Sequence, residues 1–338
     1  MNVRKTLSAA LAVTFLATTA VAGEVGHYNP GVLNIRDLLV PEPGFYAALY
    51  NHYYTSGRLN DGDGDPIDSI HVPGPAGPGL HLDVDVELDI YAAVPTLIWV
   101  SDWRFLGARY GAYIAPTLAN SSINAALSTQ NGFARDADND SFAFGDILVQ
   151  PLWLGWSLPN LEAAFGYGFY APTGKYDVDT VTLPHGAIIR AESDDNIGYG
   201  FWTHQLQAAG AWYPWTDKRT AVVLGTTYEI HHDKDGFDVT PGHDLTLNWG
   251  ISQYLPLTQS RNVVAELGIA GYDSWQVTED AGDDATSEVQ DSVHAAGFQA
   301  GLIQVPWGVS VNFHYFYEFA ADDRFQGHVL GLNLAKKF

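Results

Sequence analysis

Residues 80–92 read Leu-His-Leu-Asp-Val-Asp-Val-Glu-Leu-Asp-Ile-Tyr-Ala. Leu82, Val84, Val86, Leu88 and Ile90 alternate with Asp83, Asp85, Glu87 and Asp89. Successive strand side chains point to opposite faces, so this is a strand with one apolar face and one face of carboxylates. A helix would mix the two sets around its circumference. Two folds accommodate it. A soluble sandwich turns the apolar face inward and the acids to water. A membrane barrel inverts this, with apolar residues against lipid and acids in a wet lumen. The rest of the chain decides between them.

The chain has 338 residues, enough for one large all-β unit or two ordinary domains. Arg4 and Lys5 followed by the small and apolar run Leu7–Thr19 and then Ala20-Val21-Ala22 form a secretion signal cleaved after Ala22. The run is too short to span a bilayer as a helix. The formal charge of −23 becomes −25 once Arg4 and Lys5 are lost, which argues against a nucleic-acid partner. There is no cysteine, hence no disulfide and no thiolate chemistry.

Residues 23–43 are irregular, rich in Pro and Gly, with a short helix expected from Asn34 to Val40. They form a periplasmic or plug segment before a barrel over 44–338. Twelve strands are expected, at about 44–54, 80–92, 107–119, 142–155, 161–172, 199–213, 219–231, 243–254, 262–272, 292–304, 308–319 and 326–338. The connections alternate between long acidic ones, such as 55–79, 120–141, 173–198 and 273–291, and short ones near 102–106, 156–160, 214–218, 255–261 and 305–307. Long loops on one side and tight turns on the other describe an outer-membrane barrel. Trp99, Trp103, Trp153, Trp156, Trp212, Trp215 and Trp307 lie in or beside the short turns, where a membrane interface suits an apolar ring with a polar N–H. Later strands repeat the alternation. Val309, Val311, Phe313, Tyr315 and Tyr317 oppose Ser310, Asn312, His314 and Glu318. A dry sandwich core does not hold such charges unpaired. The reading is therefore all-β: a transmembrane antiparallel barrel of about twelve strands with a short N-terminal plug.

Several stretches resemble the outer-membrane transporter-like family of the MetA-pathway of phenol degradation. They are Gly145–Pro151, Gly166–Gly174, Trp202–Gln207, Asp238–Asp244, Trp249–Pro256 and Asp323–Gly327, with Pro30-Gly31 and Pro43-Gly44-Phe45-Tyr46 near the start. The terminal strand ending on Phe338 resembles the signal read by the barrel-assembly machinery, departing from it at Lys336. The resemblance implies an outer-membrane barrel of a Gram-negative bacterium and an uptake role near aromatic catabolism. These are strand-end and turn motifs and carry no enzymatic chemistry.

Asp61, Asp63 and Asp65 have the spacing of the first ligands of a calcium loop, but Pro66 and Val72 stand where that loop needs Gly and Glu. An acidic solvated loop is expected there, with at most loose Ca²⁺ or Mg²⁺ bridging to lipopolysaccharide; no cofactor is expected. His231-His232 point to opposite strand faces and suit a shared ion poorly. No G-x-S-x-G or H-E-x-x-H occurs, so no enzyme is expected. Asp83, Asp85, Glu87, Asp89, Arg109, Gln205, Gln207, Glu229 and His314 are expected to line the lumen, with Arg36 on the plug. The four acids are read as a cation-favouring constriction or as anchors for Arg36 and Arg109. The expected function is passive uptake of small hydrophobic or aromatic compounds. The alternative is a non-transporting barrel whose acidic loops bind cations, lipopolysaccharide or partners.

Overall fold

A computed structural model describes residues 25–74, 77–128, 134–182, 188–193, 195–285 and 289–338. The expected secretion signal, 1–22, lies outside the described residues. The first strands are β1 (Gly44–Ser56), β2 (Ser69–Gly74), β3 (Gly77–Phe105), β4 (Ala108–Ala115), β5 (Leu118–Ser128), β6 (Ala134–Phe144), β7 (Ile147–Ser157) and β8 (Leu161–Ala171). There follow β9 (Val178–Thr182), β10 (Ile188–Glu192), β11 (Thr203–Trp212), β12 (Thr220–His231), β13 (Asp244–Pro256), β14 (Val263–Gln276), β15 (Ser292–Gln304), β16 (Val309–Asp322) and β17 (His328–Lys337).

Twelve of these strands close an antiparallel barrel in the order β1-β17-β16-β15-β14-β13-β12-β11-β8-β7-β4-β3, and β3 returns to β1. The seam is a continuous ladder from Tyr46↔Lys337 to Thr55↔His328. Closure leaves no unpaired edge around the barrel, the condition for a sheet that crosses lipid. Side chains divide accordingly. On β12, Leu224 is 53% exposed while Val223 is 3% exposed, and Thr227, Glu229 and His231 are buried inside. Leu267, Ile269, Phe298, Leu302, Phe313, Leu332 and Leu334 continue the exposed apolar band. Trp103, Phe105, Leu106, Trp212, Trp215, Trp307 and Phe338 are exposed at the end of the short turns.

Three details depart from the sequence reading. The strand expected at 107–119 divides at Pro116-Thr117. Below the break β4 pairs with β3 and β7; above it β5 pairs with β3 and β6. Proline has no N–H to offer the ladder, so the change of neighbours falls where a donor is missing. Second, three regions expected to be loops contain strands: β2 and β6, with β3 and β5, raise a sheet beyond the barrel rim, and β9 pairs with β10. Third, Asn34–Val40 makes successive turns, closed by Asp37 N–H to Asn34 O and Leu39 N–H to Arg36 O, and not a helix. Its polar groups bond to the barrel wall instead.

Candidate functional site: the plugged lumen

Residues 25–43 lie inside the barrel. Each turn of this segment spends its polar groups on the wall. The Tyr28 amide donates to both Glu229 oxygens, at 3.0 and 3.1 Å. The Ile35 amide donates to Gln299 Oε1 at 2.8 Å, and Asn333 Nδ2 donates to Val32 O at 3.1 Å. Arg36 donates through Nε to Ser252 Oγ at 2.8 Å, pairs with Glu266 at 3.2 Å and lies 3.7 Å over the Tyr254 ring. Arg109 holds Glu42 Oε1 at 2.6 Å and Val40 O at 3.1 Å. Apolar packing adds to this. Ile35 and Leu39 pack with Tyr213, Val223, Tyr272 and Phe316, and Val40 with Val100 and Trp153. Burying side chains of this size contributes about 1.5–3 kcal/mol each.

A hydrogen-bonded chain crosses from the plug to the wall. His27 Nε2 is 2.9 Å from Asp146 Oδ2, and its Nδ1 is 2.7 Å from Thr203 Oγ1. Thr203 Oγ1 is 2.7 Å from His231 Nδ1, and His231 Nε2 is 3.0 Å from Asp244 Oδ2. The His27 ring stacks on Tyr170 with centroids 4.7 Å apart. Burial holds the His27 imidazole below its usual range. Burial pushes the Asp146 carboxyl up, but the His27 hydrogen bond and the amides of Tyr199 and Gly174 outweigh it and hold the group below its usual range. In the sequence, Asp146, Thr203 and Asp244 fall within the family-like motifs and His27 in the irregular segment 23–43, none of them with a role. The available signal was their placement: Thr203 shares the inward parity of Gln205 and Gln207, and His231 that of Glu229.

Burial pushes the Asp37 carboxyl up to about 6, against hydrogen bonds from Asn34. An undocked plug has the ordinary value of 3.8, so between these values the docked state holds a proton that the free plug has lost. Docking therefore weakens through this group as pH rises across that window. His27 acts oppositely: burial makes the docked imidazole harder to protonate than the free one, so docking weakens through it as pH falls. Asp37→Asn removes only the first effect. Relative to the unmodified protein, its plug should gain protection from protease as pH rises from about 5 to about 7.5. An identical pH profile for the two proteins would remove Asp37 from this role.

Between plug and wall lies a space of about 920 Å³ that is partly open to solvent. Val32, Leu33 and Leu38 form its plug side; Ala92, Val94, Ile98, Ala115, Leu148 and Trp153 form its wall. Tyr50, Tyr113 and Tyr170 add rings, and Asp37, His27, His52 and Gln207 add polar atoms; among the described residues no Lys or Arg lines it. A second space, of about 1090 Å³, is lined by Glu229, Asp244, Asp291, Glu318 and Arg324 and shares Tyr28, Asn29, His52 and Ala92 with the first. The first space is thus walled mainly by apolar side chains of β1, β3, β4 and β7, and the second carries acids from β12, β13 and β16.

Arg109, Gln205, Gln207, Glu229 and His314 all sit inside the barrel and are buried. Asp83, Asp85, Glu87 and Asp89 do not. Thr55↔Asp89 and Tyr53↔Tyr91 pair on the outward face, and Tyr53 Oη donates to Asp89 at 2.7 Å, while Ile90, Ala92 and Val94 face in. The assignment of these acids to a luminal constriction, or to anchoring Arg36 and Arg109, is corrected: Glu266 and Glu42 hold the two arginines. The reason is depth. The outward parity of β3 runs from these acids through Tyr91 to Leu97, 64% exposed, and Trp99. Above the bilayer the outward face meets water, so acids belong there. The double change Asp85→Asn with Glu87→Gln should leave the reversal potential in a salt gradient unaltered; a shift towards anions would return these acids to the ion path.

Asp61 uses its carboxylate on its own loop, accepting from the amides of Asp63 and Asp65 at 3.0 and 2.9 Å. Among the described residues the grouping of three side chains that could hold a metal is Glu229, His231 and Asp244. His232 points away from it and is exposed.

Comparison with known proteins agrees with this geometry. The family described as "Putative MetA-pathway of phenol degradation" matches residues 56–334. The chain belongs to that family. An outer membrane channel from Pseudomonas putida F1 shares its fold, with 15% identity, a TM-score of 0.62, and coverage of 92% of this chain and 100% of that one. The β domain of the Bordetella autotransporter BrkA is more distant, with 10% identity, a TM-score of 0.48, and coverage of 88% and 100%. No curated protein matches the chain. The family member described here shares the closed antiparallel β-barrel fold of that outer membrane channel.

Proposed function

We propose that this barrel admits small, neutral hydrophobic or aromatic compounds by passive diffusion. The observation that carries the reading is the ring-lined cavity between the plug and the apolar sector of the wall. A planar apolar molecule gains from burial among Ile98, Leu148, Trp153 and Tyr113. An aromatic carboxylate would meet Asp37 and, among the described residues, no Lys or Arg there, so it would lose its hydration without a fixed counter-charge. The family's description names phenol degradation, and the Pseudomonas relative is called a channel; both agree with such cargo. Export would end with cleavage after Ala22, and the Phe338 strand would be read by the barrel-assembly machinery. The long loops would stand among lipopolysaccharide.

Uptake of a panel of aromatic compounds by a deletion strain tests this. Loss of the protein should slow uptake of neutral monocyclic compounds severalfold and leave carboxylates unaffected. Ala92→Trp, which fills the cavity where both spaces meet, should fail to restore uptake although the barrel assembles. Equal uptake in all three strains would sink the reading. The density of plug anchors favours a second one, a sealed structural barrel, which would show no openings in planar bilayers.

A further inference from the structure

The chain Asp146–His27–Thr203–His231–Asp244 has four polar contacts, of 2.9, 2.7, 2.7 and 3.0 Å. Each contact needs one hydrogen between its two heavy atoms. With both carboxylates ionised and both imidazoles neutral, two rings and one hydroxyl supply three. Asp146 also accepts from the Tyr199 and Gly174 amides, so it is an acceptor and takes the His27 Nε2–H. His27 Nδ1 is then a lone pair that takes the Thr203 O–H. The Thr203 oxygen in turn accepts the His231 Nδ1–H. His231 Nε2 is left as a lone pair 3.0 Å from Asp244 Oδ2, which is also an acceptor.

Glu229 stands directly across the β12–β13 ladder from Asp244 and two residues before His231, on the same face. The donor atoms of the three lie within 4.8 Å of one another. They are 1%, 4% and 7% exposed for Glu229, His231 and Asp244, and among the described residues neither acid pairs with Lys or Arg. We propose that Glu229, His231 and Asp244 bind one divalent transition-metal ion at the seam between plug and wall. A 2+ charge balances two carboxylates and a neutral imidazole, and one nitrogen with two oxygens suits Zn²⁺, Co²⁺ or Mn²⁺. The chain behind His231 is the outer support that orients a metal-bound imidazole. Gly26 passes against both carboxylates, where a side chain would collide with them, and the Tyr28 amide bonds Glu229. The ion therefore lies under the plug and fastens it, whatever the cargo.

The test uses the full mature protein in detergent, stripped with EDTA and titrated with Co²⁺ and then Zn²⁺. One equivalent of Co²⁺ should bind, with visible d–d absorption that Zn²⁺ abolishes. Asp244→Asn and Glu229→Gln should each weaken binding at least about tenfold, and Thr203→Val by about 10–100-fold, the usual cost of losing an outer partner. Failure of the unmodified protein to take up Co²⁺ or Zn²⁺ stoichiometrically overturns the proposal and leaves a proton in that contact. So does unchanged affinity in variants whose barrels keep heat-modifiable mobility. The stripped protein should also show its plug cleaved faster by protease.

Discussion

Without residues 25–43 the barrel should conduct, with single-channel conductance in planar bilayers raised on the order of tenfold over the intact protein. The plug fills the interior of a twelve-stranded barrel from the Glu229 side to the Arg109 side. Its removal exposes Glu229, Ser252, Gln299 and Asn333 to water, which solvates them as well as the plug did. The wall does not depend on the plug for its backbone hydrogen bonds, because β1 to β17 close on one another. The truncated protein should therefore still assemble. Conductance equal to that of the intact chain would show that something other than this segment closes the lumen.

Arg36→Met should release the plug almost as effectively. Glu266 is buried, and Arg36 is its counter-charge. Removing the guanidinium strands a carboxylate, at a cost of about 3–5 kcal/mol. It also removes donors to Ser252 Oγ and to the carbonyl of Arg219, and the stacking on Tyr254. At about 1.4 kcal/mol per tenfold, the docked-to-undocked ratio falls by a factor of hundreds or more. The variant should flicker open in bilayers and lose protease protection of the plug. Adding Glu266→Gln removes the stranded charge and should recover most of the seal. A tight Arg36→Met channel would move the anchoring role to Gln299, Asn333 and Arg109.

The barrel was legible because its signals are local. Alternation at 222–230 and 309–318 depends only on the two-residue period of a strand, and the spacing of short turns follows from membrane thickness. The face assignment of 82–90 was not legible from alternation alone. Period two says that acids and aliphatics oppose each other, but depth decides which side is wet. Trp99 lies on the same parity as Asp83 and Asp89, and following that parity downward gives the right answer. The strands β2, β6, β9 and β10 escaped because polar, acidic stretches read equally as loops, and the break at Pro116 because alternation does not show which neighbours a strand pairs with. The site was partly visible. Glu229, Gln205 and Gln207 follow from parity, whereas the convergence of His27, Thr203, His231 and Asp244 depends on a segment folding back across more than a hundred residues.

The course of β3 has one more consequence. From Tyr91 up to Asp83 the strand climbs eight residues beyond the tyrosine, about 27 Å of chain at ~3.4 Å per residue. Even when tilted, this makes a parapet above the barrel, greasy within and negatively charged without. On the function proposed above, a solute would be sheltered by protein before it reached the barrel mouth, and the anionic outer skin would repel phosphates crowding the doorway.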